Sequence, residues 1–583
     1  MSALTVWAPD AHAVTCHVRP ADGAQHPRVV HLAKGTDGWW TGPPVSAGDD
    51  YAFEVDGNGP FPDPRSAWQP RGVHGFSRVF DCSEFSWTDD AWAGRDARGA
   101  VTYELHIGAF TPAGTLDAIT AQRLKDLAAR GVEMIELMPV AAFPGDRGWG
   151  YDGVALYSVH DAYGGPAALQ RFVDAAHSEG LAVSLDVVYN HLGPDGNYLG
   201  QFGPYFTDAH ETPWGWAVNL DQPGAEGMRA FIVDNALRWF EDFHLDALRL
   251  DAVHALVDDS PTHVLAELSV RTAALANQLG RPLSLVAESD LNQPSMVTPV
   301  AEGGLGMTAQ WADDVHHALH SYLTGETHGY YADFGSIETL DKAYRKVFVH
   351  DGGISAFRGQ TWGAPVPDDM DRQRFVVCAA NHDQVGNRAM GDRPSSSLSP
   401  GGQAASLALI LLSPFTPMLF MGEEYGETRP FMFFTDHDEP LGSAVSAGRM
   451  SEFAGHGWEA LYGGEVTVPD PQDLQTFLRS KLGPGRGAGG AIHADLESWM
   501  RQVISARHLT LRDGAWARHP VSVTEAGSRH VTMNGPVRVH ASLSDSPMQV
   551  EGTPLAAFGE FADHGDGFSL APDAVALVAL EEE

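Results

Sequence analysis

The amino-acid sequence predicts an α/β protein: a (β/α)8 TIM barrel with an N-terminal β-sandwich and a small C-terminal β-domain. Through the middle of the chain, eight short apolar segments alternate with segments of helical periodicity, as is typical of a barrel of parallel strands. Both ends of the chain instead carry short alternating segments separated by Gly, Asp and Pro, which is typical of antiparallel sheets. Polar and acidic residues collect where the eight apolar segments end, and a barrel builds its active site from those ends.

The composition limits the partners and the compartment. The chain has 583 residues and a formal net charge of −39 at pH 7, so nucleic acid and anionic membranes would be repelled, whereas a neutral substrate tolerates such a surface. The three cysteines, Cys16, Cys82 and Cys378, are odd in number and far apart, which predicts reduced thiols and a cytoplasmic location. No signal peptide and no apolar run of 18 residues is visible, so we expect no membrane segment.

Residues 1–95 form the predicted β-sandwich. Residues 4–7, 14–18 and 51–55 alternate or run apolar, and turn residues separate them. Strands of this kind bury one face, so two sheets are expected to pack against each other.

Residues 96–509 form the predicted barrel. Its eight candidate strands are 101–107, 133–138, 182–187, 245–251, 283–287, 306–311, 374–380 and 416–420. Helical patterns lie between most of them, at 116–130, 166–180, 227–243, 260–279 and 402–413, and a last barrel helix is expected at about 495–508. Parallel strands need such crossovers, because a two-residue turn cannot join them.

Residues 510–583 return to short strands, as at 537–540 and 574–580. This pattern predicts the small C-terminal β-domain.

The ends of the predicted strands bring three carboxylates into one cleft. Asp251 ends strand 4, Glu288 follows strand 5, and Asp383 follows strand 7. A single polar residue at a strand end is usually a solvated loop start, but the whole pattern is hard to obtain by chance. Two carboxylates on either side of a scissile bond are the usual apparatus of glycoside hydrolysis.

The surroundings of these carboxylates suggest their roles. Arg249 and Asp251 share one face of strand 4, so the guanidinium is expected to keep Asp251 ionised as a nucleophile; a structural ion pair fits this stretch alone equally well. Glu288 follows an apolar run and has no cation beside it in sequence, so burial is expected to raise its pKa toward that of a general acid. Asp383, next to His382, is expected to orient ring hydroxyls and to stabilise oxocarbenium charge.

The connection after strand 3 is rich in aromatic residues. We interpret some of its rings as packed in the core and others as a wall on which sugars stack. The aromatic residues of this connection are Tyr198, Phe202, Tyr205, Phe206, Trp214 and Trp216.

Four short motifs resemble the motif regions of the α-amylase superfamily of retaining glycosidases: "DVVYNH" (186–191), "LRLDAVH" (248–254), "VAES" (286–289) and "AANHDQ" (379–384). The resemblance implies that Asp251 is the nucleophile, Glu288 the general acid/base and Asp383 the transition-state stabiliser. It also implies that the first sugar subsite is lined by Arg249, His191, His382 and the stacking aromatic Tyr151. His254 and Gln384, in the same motifs, and Asp313 are further candidates for substrate binding.

Longer strings resemble the maltooligosyltrehalose trehalohydrolase family. They are "WAPDA" near the start, "YELHIGAFTPAGT" (103–115), "ELMPVAAFPGDRGWGYDGV" (136–154), "GPDGNYL" (193–199), "WADDVHHALH" (311–320), "NHDQVGNRAMGDR" (381–393) and "FFTDH" (433–437). That family hydrolyses the α-1,4 bond next to a terminal trehalose, so the resemblance implies maltooligosyltrehalose and related α-glucans as substrates and a maltooligosyltrehalose synthase in the same pathway.

The resemblance implies neither a cofactor nor a metal. Asn190 matches a position that ligates calcium in many α-amylases, but no partner loop is visible and this branch is not typically calcium-dependent, so no metal is predicted.

Two other functions are compatible with parts of the sequence. A glycogen branching or debranching enzyme has a similar N-terminal sandwich and first barrel strand. A non-catalytic glycan-binding protein would be expected to have lost at least one of Asp251, Glu288 and Asp383, and all three are present. Recognition of trehalose needs extra polar groups on the leaving side, for which the candidates are residues beyond Glu288 and Asp383, together with Asp313, Asp314 and residues 433–437.

Overall fold

Eight parallel strands close into a barrel in a computed structural model that describes residues 2–21, 28–453, 462, 464, 466–483, 491–511, 521–527 and 529–579. Numbered 1 to 8 in chain order, the barrel strands are Thr102–Leu105, Met134–Leu137, Ala182–Val187, Ala247–Leu250, Ser284–Ala287, Ala309–Trp311, Phe375–Cys378 and Thr416–Phe420. Neighbours in sequence pair with each other, and strand 8 closes the barrel by pairing with strand 1. Each observed strand lies within its predicted range, so the predicted barrel is confirmed.

Helices cover the outside of the barrel. The longer ones are Ala121–Arg130, Gly165–Ser178, Ala225–Asp242, Val264–Leu279, Asp313–Thr324, Ile337–Lys346, Pro400–Leu411, Leu441–Phe453 and Ala491–Leu511. Shorter ones are Ile107–Phe110, His382–Gly386 and Leu474–Ser480. None of the helices in the described ranges combines the length and the apolar character needed to cross a bilayer.

Capping residues explain where the predicted helix bounds shift. The first crossover helix begins at Ala121 rather than at 116, because Thr120 caps it by accepting a hydrogen bond from the Arg123 backbone N–H. The same helix ends at Arg130, and the residue that follows it, Gly131, has a φ of +97°, which suits a residue without a side chain. The helix predicted from 260 begins at Val264, where the His263 ring accepts from the backbone N–H of Leu265.

Two antiparallel sheets precede the barrel. One has three strands, Ser2–Trp7, Trp39–Val45 and Ala33–Lys34, and the other joins Arg28–His31, Val14–Arg19, Asp50–Val55, Asn58–Phe61 and Ser77–Arg78. Val6 and Trp40 from the first sheet and Cys16 and Phe53 from the second are all buried in the main hydrophobic core. The predicted N-terminal β-sandwich is therefore confirmed.

Two further antiparallel sheets follow the barrel and confirm the predicted C-terminal β-structure. Their strands are Ser522–Ala526, His530–Asn534, Val537–Ser542, Ala574–Ala579 and Pro554–Phe558 in one sheet, and Met548–Glu551, Gly567–Leu570 and Phe561–Asp563 in the other. Asp573 accepts from the backbone N–H of Gly401 at 3.1 Å, and Tyr322 donates to Glu525 at 2.9 Å. These bonds attach the five-stranded sheet to the helices around the barrel. The domain bounds at 95 and 509 stay a prediction.

The register of the barrel strands places charged side chains in its interior. Glu104 on strand 1 is level with Glu136 on strand 2, and Asp186 on strand 3 is level with Arg249 on strand 4. All four residues are buried. Charges buried in this way need partners, and those partners form the candidate site.

Candidate active site

Arg249 is the centre of a cluster of three carboxylates. Its Nη1 donates to Asp186 Oδ2 at 2.7 Å and to Asp251 Oδ1 at 2.9 Å, and its Nη2 lies 2.9 Å from Glu288 Oε2. The guanidinium carbon lies 4.2 Å from the centre of the Trp311 ring, and the arginine is fully buried. One buried cation therefore holds three carboxylates in fixed positions.

The structure corrects the predicted surroundings of Glu288. The sequence indicated no cation beside Glu288, yet Arg249 faces it. Arg249 pairs with Val286 across strands 4 and 5. Two residues further along both strands, Asp251 is therefore level with Glu288. A second donor is the backbone N–H of Ala252, at 2.6 Å from Glu288 Oε2. Ala252 has a φ of +37°, a left-handed conformation that costs an alanine about 1–2 kcal/mol.

Burial dominates the electrostatics of both carboxylates. It raises the pKa of Asp251, and Arg249 opposes this rise without cancelling it, while the charges of Asp186 and Asp383 add to it. It also raises the pKa of Glu288, again against Arg249, as was predicted. The sequence indicated the effect of the arginine on Asp251 but not the larger effect of burial.

Asp383 and Asp313 lie at the same site. Asp383 belongs to the short helix after strand 7, keeps about a third of its side chain exposed, and accepts from Asn387 Nδ2 at 3.2 Å. Asp313 begins the helix after strand 6. Burial, followed by the nearby charges of Glu288 and Asp383, raises the pKa of Asp313 to about 7.

Aromatic rings form one wall of the site. The Tyr151 ring stacks on His382 with 5.2 Å between centroids, and its hydroxyl donates to Asp186 Oδ2 at 2.5 Å. The His191 ring lies parallel to Trp214 at 4.3 Å, and its Nε2 lies 3.0 Å from the Tyr151 carbonyl oxygen.

The aromatic connection after strand 3 is divided, as interpreted from the sequence. Trp214 and Trp216 are exposed, whereas Phe202 and Tyr205 are buried in the core.

Two candidate binding residues lie at the edge of the carboxylate cluster. His254 is exposed on the turn after strand 4, with its Nδ1 3.9 Å from Asp290 Oδ1. Gln384 follows Asp383 in the short helix and is half-buried, and its backbone N–H donates to the Asn381 side chain at 2.7 Å.

Sequence reasoning missed a polar group beyond Glu288. Arg358, on the hairpin of Ile354–Ser355 and Gln360–Thr361, places its Nη2 3.3 Å from Asp290 Oδ2. Its guanidinium lies over the Trp362 ring at 4.6 Å, and Trp362 Nε1 donates to the Asp290 carbonyl oxygen at 2.7 Å. The only sequence signal was that Asp290 comes two residues after Glu288.

Two other candidates for trehalose recognition have structural partners. Asp314 Oδ2 accepts from Asn292 Nδ2 at 3.0 Å and from the backbone N–H groups of Val349 and His350 at 2.7 and 2.9 Å. In the segment 433–437, Asp436 pairs with Arg147 at 2.7 Å. These two carboxylates therefore hold loops in place.

Asn190, which the motifs match to a calcium ligand of many α-amylases, is buried, and neither of its side-chain atoms has a hydrogen-bond partner. In the part of the chain that the structure describes, the one group of His, Cys, Asp or Glu ligand atoms close enough to share an ion is His210, Asp221 and Asp259. In that group, His210 Nε2 lies 2.8 Å from Asp221 Oδ2.

Known proteins with this architecture are similar along the whole chain. A family model described as the alpha amylase catalytic domain matches residues 80–222. A relative from Arthrobacter ramosus named malto-oligosyltrehalose trehalohydrolase is 49% identical over 99% of each chain. One of the same name from Rhizobium sp. (strain M-11) is 47% identical over 96% of this chain and 94% of the relative.

The chain belongs to the malto-oligosyltrehalose trehalohydrolase family. This membership confirms the resemblance seen in the sequence motifs, and it makes the chain a glycoside hydrolase of the α-amylase type. A crystal structure from Salmonella typhimurium described as an alpha amylase superposes with a TM-score of 0.87 at 35% identity, covering 99% of this chain and 97% of that one. The fold of this chain is thus shared with that structure over nearly the whole length of both.

Proposed function

We propose that the protein hydrolyses the α-1,4-glucosidic bond next to the terminal trehalose of maltooligosyltrehalose, releasing trehalose and a maltooligosaccharide with retention at the anomeric carbon. The observation that carries this proposal is the contact of Asp251 and Glu288 with neighbouring nitrogens of one guanidinium. Carboxylates held this close suit a retaining glycosidase, in which they are about 5–5.5 Å apart, better than an inverting one. The family names supply the substrate.

In the proposed mechanism, Asp251 attacks the anomeric carbon while Glu288 protonates the leaving oxygen. Burial raises the pKa of Asp251 to about 6 against the opposing charge of Arg249, so this carboxylate is mostly the anion at neutral pH. Glu288, whose pKa burial also raises, holds the proton that the leaving trehalose takes and later removes one from water. Asp383 stabilises the oxocarbenium charge of the transition state.

The glycone sugar is proposed to bind against the aromatic wall. Tyr151 and His382 offer a stacked pair of rings, and the apolar face of a pyranose packs well on such rings. His191 and Arg249 lie next to this pair, in agreement with the subsite that the motifs imply.

Trehalose is proposed to bind on the side of Asp290, Arg358 and Asp313. Arg358 is a donor held by Asp290 and Trp362, and His254 lies on the other side of Asp290. A substrate without the hydroxyls that pair with such groups is penalised strongly, because the polar groups then lose water without gaining a partner.

We also propose which enzyme supplies the substrate and in which compartment the protein acts. A maltooligosyltrehalose synthase would supply the substrate, in the cytoplasm, where three unpaired cysteines stay reduced. The net charge of −39 speaks against nucleic acid and membrane partners.

The test compares maltopentaosyl trehalose with the maltooligosaccharide of equal glucose count. From the first substrate we expect free trehalose, together with a maltooligosaccharide that is released as its α-anomer. We also expect a much higher kcat/KM for the first substrate than for the second. Equal rates on both would indicate an ordinary α-amylase cleft. New α-1,6 linkages in the products would instead identify a branching enzyme, and linear substrates left intact would indicate a debranching enzyme, which cuts only α-1,6 bonds.

A further inference from the structure

Glu104 on strand 1 binds His382 at two points. Glu104 Oε1 lies 2.5 Å from His382 Nδ1, and Glu104 Oε2 accepts from the His382 backbone N–H at 2.9 Å. Both side chains are almost completely buried. When Glu104 is ionised, both of its oxygens are acceptors, and the ring nitrogen that faces it then carries the proton of this hydrogen bond.

The other ring nitrogen of His382 must also donate. Its Nε2 lies 2.7 Å from the Tyr151 hydroxyl oxygen. That hydroxyl donates its own proton to Asp186 Oδ2, an oxygen that already accepts from Arg249. The tyrosine oxygen can therefore only accept from the histidine, and both nitrogens of His382 are protonated.

We propose that Glu104 is a positioning residue that holds His382 as an imidazolium, and that this fixed positive charge pairs with Asp383 and fixes the Tyr151 ring of the glycone subsite. His382 Nε2 lies 3.5 Å from Asp383 Oδ1. The role in turnover rests on the proposed function, whereas the charge of the histidine does not.

Several elements contribute the charges that surround this pair. The titratable and charged groups facing His382 and Glu104 are Glu136 on strand 2, Tyr151 in the following loop, Asp186 on strand 3, Arg249 on strand 4, Cys378 on strand 7, His106 after strand 1 and Asp383 on the same helix. Burial disfavours the imidazolium, and so does Arg249. The charges of Glu104 and Asp383 outweigh both and raise the pKa of His382 to about 10, in agreement with the hydrogen-bond directions.

Glu104→Gln tests the inference with little change of shape. The amide oxygen can still accept from the backbone N–H of His382, while the amide NH2 group can donate only to an unprotonated Nδ1. The variant therefore favours a neutral histidine with its proton on Nε2. Glu136→Gln is the matched control: Glu136 is a buried glutamate in register on the next strand, and burial raises its pKa to about 8, so it is already largely neutral at pH 7.

The first readout is the protonation of His382 in the full-length protein labelled with 15N-histidine, with the signal assigned by its loss in His382→Asn. We expect two protonated nitrogens from pH 6 to 9 in the wild type and in Glu136→Gln, and a neutral ring at pH 8 in Glu104→Gln. Glu104→Asp keeps the negative charge and is expected to keep the imidazolium. A neutral His382 in the wild type at pH 7 would overturn the inference, even if no variant folds.

The second readout is the steady-state kinetics on maltopentaosyl trehalose. The charge beside Asp383 is proposed to act on the transition state, so Glu104→Gln is expected to lower kcat by about tenfold with little change in KM, whereas Glu136→Gln keeps the kcat of the wild type. An unchanged kcat in a folded Glu104→Gln variant would refute the proposed effect on Asp383. A wild type that releases no trehalose would refute the proposed function, while the NMR result would still decide the charge of His382.

Discussion

Replacement of Arg249 by methionine is expected to destabilise the protein in a pH-dependent way. Arg249 makes two hydrogen bonds and one further ion contact with three carboxylates and is fully buried. Removal of one partner from a buried ion pair costs about 3–5 kcal/mol, because it leaves a charge without compensation. We expect a loss of this size at pH 8, where Asp186, Asp251 and Glu288 would otherwise have to stay charged.

At pH 5 the loss is expected to be smaller. Burial raises the pKa values of all three carboxylates even with the arginine in place, and without it they rise further. As the pH falls, the carboxylates take up protons in the folded variant, and neutral carboxyls cost less to bury. The difference in unfolding temperature between wild type and Arg249→Met should therefore shrink from pH 8 to pH 5.

Arg507→Met is the matched control for this experiment. Arg507 is also fully buried, but its guanidinium donates to the backbone carbonyls of Leu411, Ser413 and Phe415 at 2.8–2.9 Å. Its loss should destabilise the protein by a similar amount at both pH values, since carbonyl groups do not titrate. Calorimetry of the full-length chain measures both variants. An Arg249→Met deficit that is equal at pH 5 and pH 8 would refute the electrostatic reasoning.

Three further predictions concern other parts of the site. Asp251→Asn and Glu288→Gln should each lower turnover of maltopentaosyl trehalose by about 10²–10⁴-fold without changing the far-UV circular dichroism spectrum; a variant that keeps a tenth of wild-type turnover would contradict its assigned role. Trp214→Ala should raise KM more than it lowers kcat, because Trp214 is an exposed ring parallel to His191, and steady-state kinetics that show the opposite split would count against a stacking wall. Asp314→Ala should destabilise the protein by about 2 kcal/mol or more, since it leaves the backbone N–H groups of Val349 and His350 without this acceptor, and an unfolding temperature equal to that of the wild type would show that water replaces the carboxylate.

The sequence by itself determined the architecture and indicated three carboxylates as the candidate catalytic groups. The eight barrel strands could be predicted because each is a short apolar run followed by a helical pattern, and both signals are local. The polar ends of those strands indicated Asp251, Glu288 and Asp383, since parallel strands in a barrel present their C-terminal ends on one face. The side that Arg249 and Asp251 share also followed from local alternation along strand 4.

Only the tertiary structure decided how these groups are paired and charged. Arg249 reaches Glu288 because strands 4 and 5 pair in one particular register. A local sequence pattern does not predict the register of two strands that a crossover helix separates. Glu104 reaches His382, 278 residues further along the chain, only because strand 8 pairs with strand 1 and closes the barrel. Asp314, a candidate for trehalose recognition in the sequence, accepts instead from the backbone N–H groups of Val349 and His350. Burial is a property of the whole fold, so the raised pKa values of Asp251 and Glu288 depend on every strand being in place.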